Sequence, residues 1–334
     1  MLDTMKIVIL DGWTVNSGDN PWDELARFGE LVVYDRTGPA EIVERAQDAE
    51  IILTNKTPLR AEILARLPKL RFVAELATGY DNVDVAAAGR SGIPVANVPE
   101  YGTVSVAQHT MALLLELCNR VGEHAAAVKN GEWCQAPDFS FWKAPLVELA
   151  GKRFGIIGLG RIGQRVAEIA HAFGMEILAY NPRTRSVATS VPVSWKDIPA
   201  LFAEADVVSL HCPLTPENAH FVDSGLLGLM KETAFLINTA RGKLVNETDL
   251  AEALNSGRIG GAALDVVSRE PIEDDNPLLA ARNCVITPHI AWASLDARRR
   301  LTAATVRNIE AFLKGKPVNL VNADFLVQAG KIMQ

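Results

Sequence analysis

Cysteine is scarce: Cys118, Cys134, Cys212 and Cys284 are the only four in 334 residues, and they are scattered. No C-x-x-C and no metal-ligand spacing appears, so neither a disulfide framework nor a metal centre is expected, and free thiols in a reducing cytoplasm fit best. The chain also lacks H-E-x-x-H, a P-loop and G-x-S-x-G. Those absences remove the simplest metalloprotease, nucleotide-triphosphatase and α/β-hydrolase readings. Positive charge is short as well, 33 Lys and Arg against 40 Asp and Glu for a net charge of -7, which argues against a nucleic-acid surface. The one basic cluster, Arg298-Arg299-Arg300, has Asp296 beside it in a helical pattern and reads as a solvated helix face. No long apolar run occurs either. Val104–Leu117 comes closest, but it contains Gln108, His109 and Glu116 and is too short to span a bilayer. The amino terminus enters a strand-like Lys6–Leu10 with no signal-peptide layout. A cytoplasmic protein without membrane or nucleic-acid partners is the expectation.

What is present is an ordinary globular composition, 49% hydrophobic and 22% charged, in a chain long enough for two domains. Strand-like runs at Lys6–Leu10, Leu31–Tyr34, Glu50–Thr54, Leu70–Ala74 and Pro94–Asn97 alternate with amphipathic segments such as Pro21–Phe28, Ala40–Ala49 and Arg60–Leu67. That alternation predicts a parallel sheet wrapped by helices. A long helical pattern from Tyr101 to about Lys129 then carries the chain out of the first domain. Gly131–Ala144 is dense in aromatics (Trp133, Phe139, Phe141, Trp142) without a clean period. It reads as core cover or, preferably, as an arm that buries itself on a second subunit, giving a homodimer.

The most informative stretch is Gly151–Arg185. The apolar run Arg153–Ile157 ends in Gly158-Leu159-Gly160-Arg161-Ile162-Gly163, a G-x-G-x-x-G that opens an amphipathic helical pattern, and Glu176–Tyr180 supplies a second strand. Gly158 would make the turn, Gly160 would let the backbone approach a pyrophosphate, and Gly163 would let helix pack on strand. The helix start at Arg161-Ile162 would offer its N–H groups to the phosphates. With Asp206–Leu210, Ala234–Asn238, Gly260–Leu264 and Cys284–Thr287 the domain has six strands, the count of a dinucleotide-binding fold. Polar residues follow those strands: Asn181, His211-Cys212-Pro213, Thr239-Ala240-Arg241, Asp265 and Pro288-His289. Ligands of open α/β sheets sit at such strand ends. In the first domain, Lys56 and Thr78-Gly79 occupy equivalent turns, where Gly79 either binds a carboxylate through its backbone or is a plain turn glycine.

Three ionisable residues make a coherent set. The Arg241 guanidinium pairs bidentately with a carboxylate, His289 passes a proton to or from an oxygen, and Glu270 would hold the imidazole and favour its charged form. A carboxylate anchor, a proton carrier and a nicotinamide suit hydride transfer between a 2-keto acid and a 2-hydroxy acid. Each residue also has a plainer reading: Arg241 as a salt bridge, Glu270 as a solvated loop acid, His289 as a satisfied core histidine.

At these residues the chain resembles the D-isomer-specific 2-hydroxyacid dehydrogenases, through GIIGLGRIGQRVA, FLINTARGKLVNETDLAEAL, GAALDVVSREP and ITPHIAWAS. The resemblance covers essentially the whole chain. It implies catalytic roles for Arg241, Glu270 and His289, a nicotinamide contact for Asp265, a backbone carboxylate contact at Gly79 and a place near the cofactor for Thr103. The implied fold is α/β: a Rossmann dinucleotide-binding domain (101–294) inserted in a flavodoxin-like substrate domain (1–100 and 295–334), usually as a dimer. LDGWTVNSGDNPW, TNKTPL, ELATGYDNVD and PDFSFW resemble the branch acting on glycerate and hydroxypyruvate, with glyoxylate as a further substrate. Sister enzymes acting on formate or phosphite, or an NAD(H)-sensing corepressor, are the alternatives. The cofactor stays open between NAD and NADP. Where an acidic residue would repel a 2′-phosphate the chain has Asn181, followed by Arg183 and Arg185, which leans to NADP; the branch resemblance implies NAD.

Overall fold

The structure is a computed structural model and describes residues 4–182 and 188–330. The chain forms two compact units, Met1–Gly102 with Ala293–Gln334, and Thr103–Trp292.

The first unit is built on five parallel strands: β1 (Lys6–Ile9), β2 (Glu30–Val33), β3 (Ile51–Thr54), β4 (Phe72–Glu75) and β5 (Val95–Ala96). Their spatial order is β2-β1-β3-β4-β5, the flavodoxin-like order. β3 and β4 are buried along their whole length, as central parallel strands covered on both faces must be. Val8, Ile52, Val73 and Val95 pack with Ile42, Leu64 and Ala88 of the flanking helices. The returning chain adds the helix Leu295–Leu313, capped by the Ser294 side chain, and a short helix, Ala323–Gln328, that periodicity did not predict. Its tail is tied to β5 by Asn322, whose side chain accepts from Val95 N–H at 2.9 Å and donates to Ile93 C=O at 2.9 Å. One expectation fails here. Arg298 is no solvated face residue: it is buried and holds Asp19 through two bonds of 2.5 and 2.7 Å, donating also to Val15 C=O. The pattern of charges along a helix could not show that the loop 15–19 folds over it.

Among its described residues the second unit holds seven parallel strands where six were expected: β6 (Arg153–Ile157), β7 (Glu176–Tyr180), β8 (Val193–Trp195), β9 (Val207–Leu210), β10 (Phe235–Asn238), β11 (Gly261–Leu264) and β12 (Cys284–Ile286). The missed strand is β8, three residues long and only half-buried, too short for an alternation to register. The order is β12-β11-β10-β9-β6-β7-β8. Counted from β6, this is the Rossmann order with a further strand, and the direction of winding reverses between β6 and β9. One core lies on each face: Leu113, Leu114, Phe154, Val166 and Ala170 on one, Leu201, Phe202, Val222, Leu250 and Leu254 on the other. The expected single helix after Tyr101 is two helices, Thr103–Asn119 and Val121–Lys129, broken at Arg120, whose backbone is left-handed at φ 48°. The aromatic segment does not cover this core: Phe139 and Trp142 are 90% and 68% exposed. Among the described residues no helix is long and apolar enough to cross a membrane.

Candidate active site

The glycine turn lies after β6, at the point where the sheet reverses direction. Gly158 has φ 97°, and a Cβ there would sit 2.7 Å from Cys212 N and 2.8 Å from the His211 carbonyl, so the turn after β9 presses directly on it. At Gly163 a Cβ would lie 2.3 Å from the Gly158 carbonyl oxygen, which is the close helix-to-strand approach expected. Gly160 is different. Its φ of -79° and ψ of -163° suit any residue, and a Cβ there would meet nothing within 4 Å. Among the described residues nothing requires a glycine at 160, and the space fits a group brought from outside. The residue also caps the helix Arg161–Ala172 with no side-chain hydrogen bond, leaving that end to the backbone N–H groups of residues such as Arg161 and Ile162. A dinucleotide pyrophosphate has the size and charge for this place.

The other strand ends bring their candidates to the same end of the sheet. Asn181 follows β7 and is half-buried; Arg183 and Arg185 lie outside the described residues. Cys212 and Pro213 follow β9, and burial pushes the Cys212 thiol up to about 11, so it remains protonated and offers an apolar wall rather than a nucleophile. Thr103 opens the helix Thr103–Asn119. β10 ends at Asn238, a residue that sequence reasoning passed over: its buried side chain accepts from Ala240 N–H at 3.0 Å and donates to Arg241 C=O at 2.8 Å, shaping the Thr239-Ala240-Arg241 turn. Arg241 sends one N–H to Ala240 C=O at 2.8 Å.

Gly242 draws the Arg241 turn and the Glu270 loop together. A Cβ at 242 would lie 1.9 Å from the Val267 carbonyl carbon and 2.4 Å from Ser268 N, so only glycine allows the two backbones to touch. Glu247 fastens the same loop, accepting from Ser268 N and Oγ at 2.5 and 2.7 Å and from Asn276 Nδ2 at 2.9 Å. On that loop the Glu270 carboxylate takes Val267 N–H at 3.3 Å through one oxygen and His289 Nδ1 at 2.7 Å through the other. A carboxylate only accepts, so Nδ1 carries the proton and Nε2 is left as the nitrogen that exchanges one. With its side chain 26% exposed and bonded to an acid, His289 is not a core histidine.

Asp265 follows β11 and is 1% exposed. Burial alone would raise its pKa, but the His109 contact, the Thr287 hydroxyl and the N–H groups of Ala291 and Ile290 outweigh it and hold the carboxyl below its ordinary value. Its oxygens are therefore largely occupied by the chain itself: Thr287 Oγ1 at 2.6 Å, Ile290 N at 2.9 Å and Ala291 N at 2.8 Å. His109 and Thr287 carried no local signal in the sequence, because their partners lie far along the chain.

In the first unit, the turn after β3 donates three successive N–H groups, Asn55, Lys56 and Thr57, to the Asp11 carboxylate at 2.8, 2.6 and 2.6 Å. Lys56 itself is exposed. Asn55 Nδ2 reaches Leu76 C=O at 2.6 Å, joining this turn to the next strand-end loop, where Thr78 donates to Val98 C=O at 2.8 Å just before Gly79. Glu75, the last residue of β4, lies beneath both. Its Oε2 accepts from Asn82 at 3.1 Å, its Oε1 has no partner among the described residues, and burial raises its carboxyl well above the ordinary value. A groove of about 420 Å³ in the second unit, lined by Glu116, Arg120, Phe235 and Gly260, sits at the amino ends of the strands and contains none of the candidates. Switch-point geometry, not cavity size, marks the reactive end of such a sheet.

Comparison with known proteins gives the family. Residues 111–291 match the family model described as D-isomer specific 2-hydroxyacid dehydrogenase, NAD binding domain. Over 321 residues the chain is 50% identical to a hydroxypyruvate reductase of Blautia hydrogenotrophica, covering 95% of this chain and 100% of that one. It is 40% identical to a glycerate dehydrogenase of Methylorubrum extorquens, covering 96% and 100%. Among solved structures it is similar to an NADPH-dependent glyoxylate/hydroxypyruvate reductase from Sinorhizobium meliloti in complex with NADP and malonate, with a TM-score of 0.82 at 28% identity, covering 95% of this chain and 97% of that one.

Proposed function

The chain belongs to the D-isomer-specific 2-hydroxyacid dehydrogenase family, and from that premise we propose that it is a hydroxypyruvate reductase forming D-glycerate, with glyoxylate as a second substrate. It is an oxidoreductase of CH–OH groups that uses a nicotinamide dinucleotide. The observation that carries the reading is the His289–Glu270 contact beside the Arg241 turn.

Arg241 holds the substrate carboxylate with its planar fork. His289 then donates the Nε2 proton to the keto oxygen, while Glu270 on the opposite ring nitrogen fixes the tautomer and stabilises the imidazolium. NAD(P)H, when bound, supplies the hydride that completes the hydroxy acid. The first unit serves the substrate through Lys56, Thr78 and Gly79. The second serves the dinucleotide through Gly158, Gly160, Arg161, Ile162, Gly163, Asn181, Cys212, Pro213, Thr239, Ala240, Asp265 and Thr103. Asn181 brings no negative charge to a ribose 2′-phosphate, which supports use of NADPH alongside NADH. The exposed Phe139 and Trp142 support docking of their segment on a second copy as a homodimer, and four unpaired cysteines support a reducing cytoplasm.

The test is a panel of hydroxypyruvate, glyoxylate, pyruvate and bulkier 2-keto acids against NADH and NADPH, followed by loss of nicotinamide absorbance. Fastest turnover is expected with hydroxypyruvate. Tight dinucleotide binding with no turnover of any keto acid would contradict the proposal.

A further inference from the structure

His289 has a left-handed backbone at φ 54°, between Pro288 and Ile290. A residue with a Cβ pays about 1–3 kcal/mol for this and keeps it only when neighbours over-determine it. The neighbours are identifiable. His289 N–H donates to Thr287 C=O at 3.0 Å, closing the turn on its amino side. On the carboxyl side the next two N–H groups, Ile290 and Ala291, both go to Asp265. The helix Thr103–Asn119 grips both ends of this five-residue segment. Ser105 Oγ donates to Ala291 C=O at 2.7 Å, and one turn later His109 Nε2 meets Thr287 Oγ1 at 3.0 Å and lies 3.4 Å from Asp265 Oδ1. Residues 105 and 109 are four apart and share a helix face, so a single rigid element spans the turn.

The direction of these bonds is fixed by proton count. Thr287 has one hydroxyl proton, and at 2.6 Å it goes to Asp265 Oδ1, an acceptor. The remaining contact of Thr287 Oγ1 must therefore be accepted from His109, which places a proton on His109 Nε2. The chain of donors runs from His109 to Thr287 to Asp265, and Asp265 in turn receives the backbone of the His289 turn.

We propose that His109 is a positioning residue for His289: its Nε2–H orients the Thr287 hydroxyl onto Asp265, and that carboxylate locks the left-handed turn from which the His289 imidazole meets the keto oxygen. The side-chain contacts of His109 are with Thr287 and Asp265, not with His289. Its effect passes through the turn. The inference rests on the proposed reductase reading, because it concerns where the proton donor sits during that reaction.

The test uses two pairs of variants in the full-length protein. His109→Leu and Thr287→Val remove the donor chain at nearly constant volume; His109→Gln and Thr287→Ser keep an N–H or O–H in the same place. Steady-state reduction of hydroxypyruvate is measured for all four, with NADPH and with NADH, together with melting temperature. Both first variants should lose about ten- to hundredfold in kcat, as a displaced proton donor does, with KM for the keto acid within about twofold. Both conservative variants should recover most of kcat. Full kcat in His109→Leu and Thr287→Val with only a lowered melting temperature would overturn the inference, as would conservative variants as slow as the disruptive ones. An inactive wild type would overturn the reductase reading itself, and the inference with it, whereas an active wild type with unaffected variants would sink the inference alone.

Discussion

Replacing Gly160 by alanine separates what the fold needs from what the cofactor needs. The backbone at 160, φ -79° and ψ -163°, is open to alanine, and its Cβ would touch no atom of the described residues. Alanine gains about 0.4–1 kcal/mol by restricting the unfolded chain and loses a comparable amount as a poorer helix N-cap. The melting temperature of Gly160→Ala should therefore stay close to that of the wild type. The methyl group nevertheless stands where a pyrophosphate would approach the start of the helix Arg161–Ala172. Losing one charge-assisted N–H to phosphate bond costs about 1.5–3 kcal/mol, roughly ten- to hundredfold in Kd. Gly163→Ala supplies the contrast. Its Cβ would collide with the Gly158 carbonyl oxygen at 2.3 Å, so overpacking of about 1–3 kcal/mol should lower the melting temperature. Fluorescence titration with NADH and NADPH beside thermal melts reads both effects. A Gly160→Ala protein that binds dinucleotide as tightly as the wild type would refute the assignment of this turn to the phosphates.

Two further outcomes follow from single residues. Asn181→Asp adds a carboxylate at the end of β7, so the kcat/KM ratio of NADPH to NADH should fall by about tenfold or more, whereas an unchanged ratio would show that residue 181 does not face the ribose. Glu75 tests the first unit through pH. Its folded carboxyl is raised by burial, so the folded state keeps a proton that the unfolded state releases above the ordinary value of 4.5. Stability is therefore lost as pH rises, by about 1.4 kcal/mol per pH unit between the unfolded and folded values, and Glu75→Gln should escape that loss. The variant should melt higher than the wild type at about pH 8 and no higher at about pH 4. An equal difference at both would mean that the Glu75 proton plays no part.

Legibility followed the range of the interactions concerned. The glycine turn could be read because its three glycines fall within six residues of one motif. The placement of Arg241, Glu270 and His289 close to strand ends could be read because the apolar runs of those strands are continuous. β8 escaped because three residues, two half-buried and one exposed, are too few to show a period. The break at Arg120 escaped because Val121–Lys129 continues the helical pattern while the backbone turns left-handed between. Arg298, Glu75 and the His109–Thr287–Asp265 chain escaped for one common reason. Each owes its character to partners supplied by other strands or loops, and spacing along the sequence does not encode such contacts.

The central claim is that His289 carries the proton of the reaction. His289→Asn keeps a polar side chain of smaller size while removing the ring nitrogen opposite Glu270. Measured side by side with the wild type on hydroxypyruvate and NADPH, the variant should lose about 10²–10⁴ in kcat while its dinucleotide Kd stays within about twofold. Turnover near that of the wild type would contradict the account.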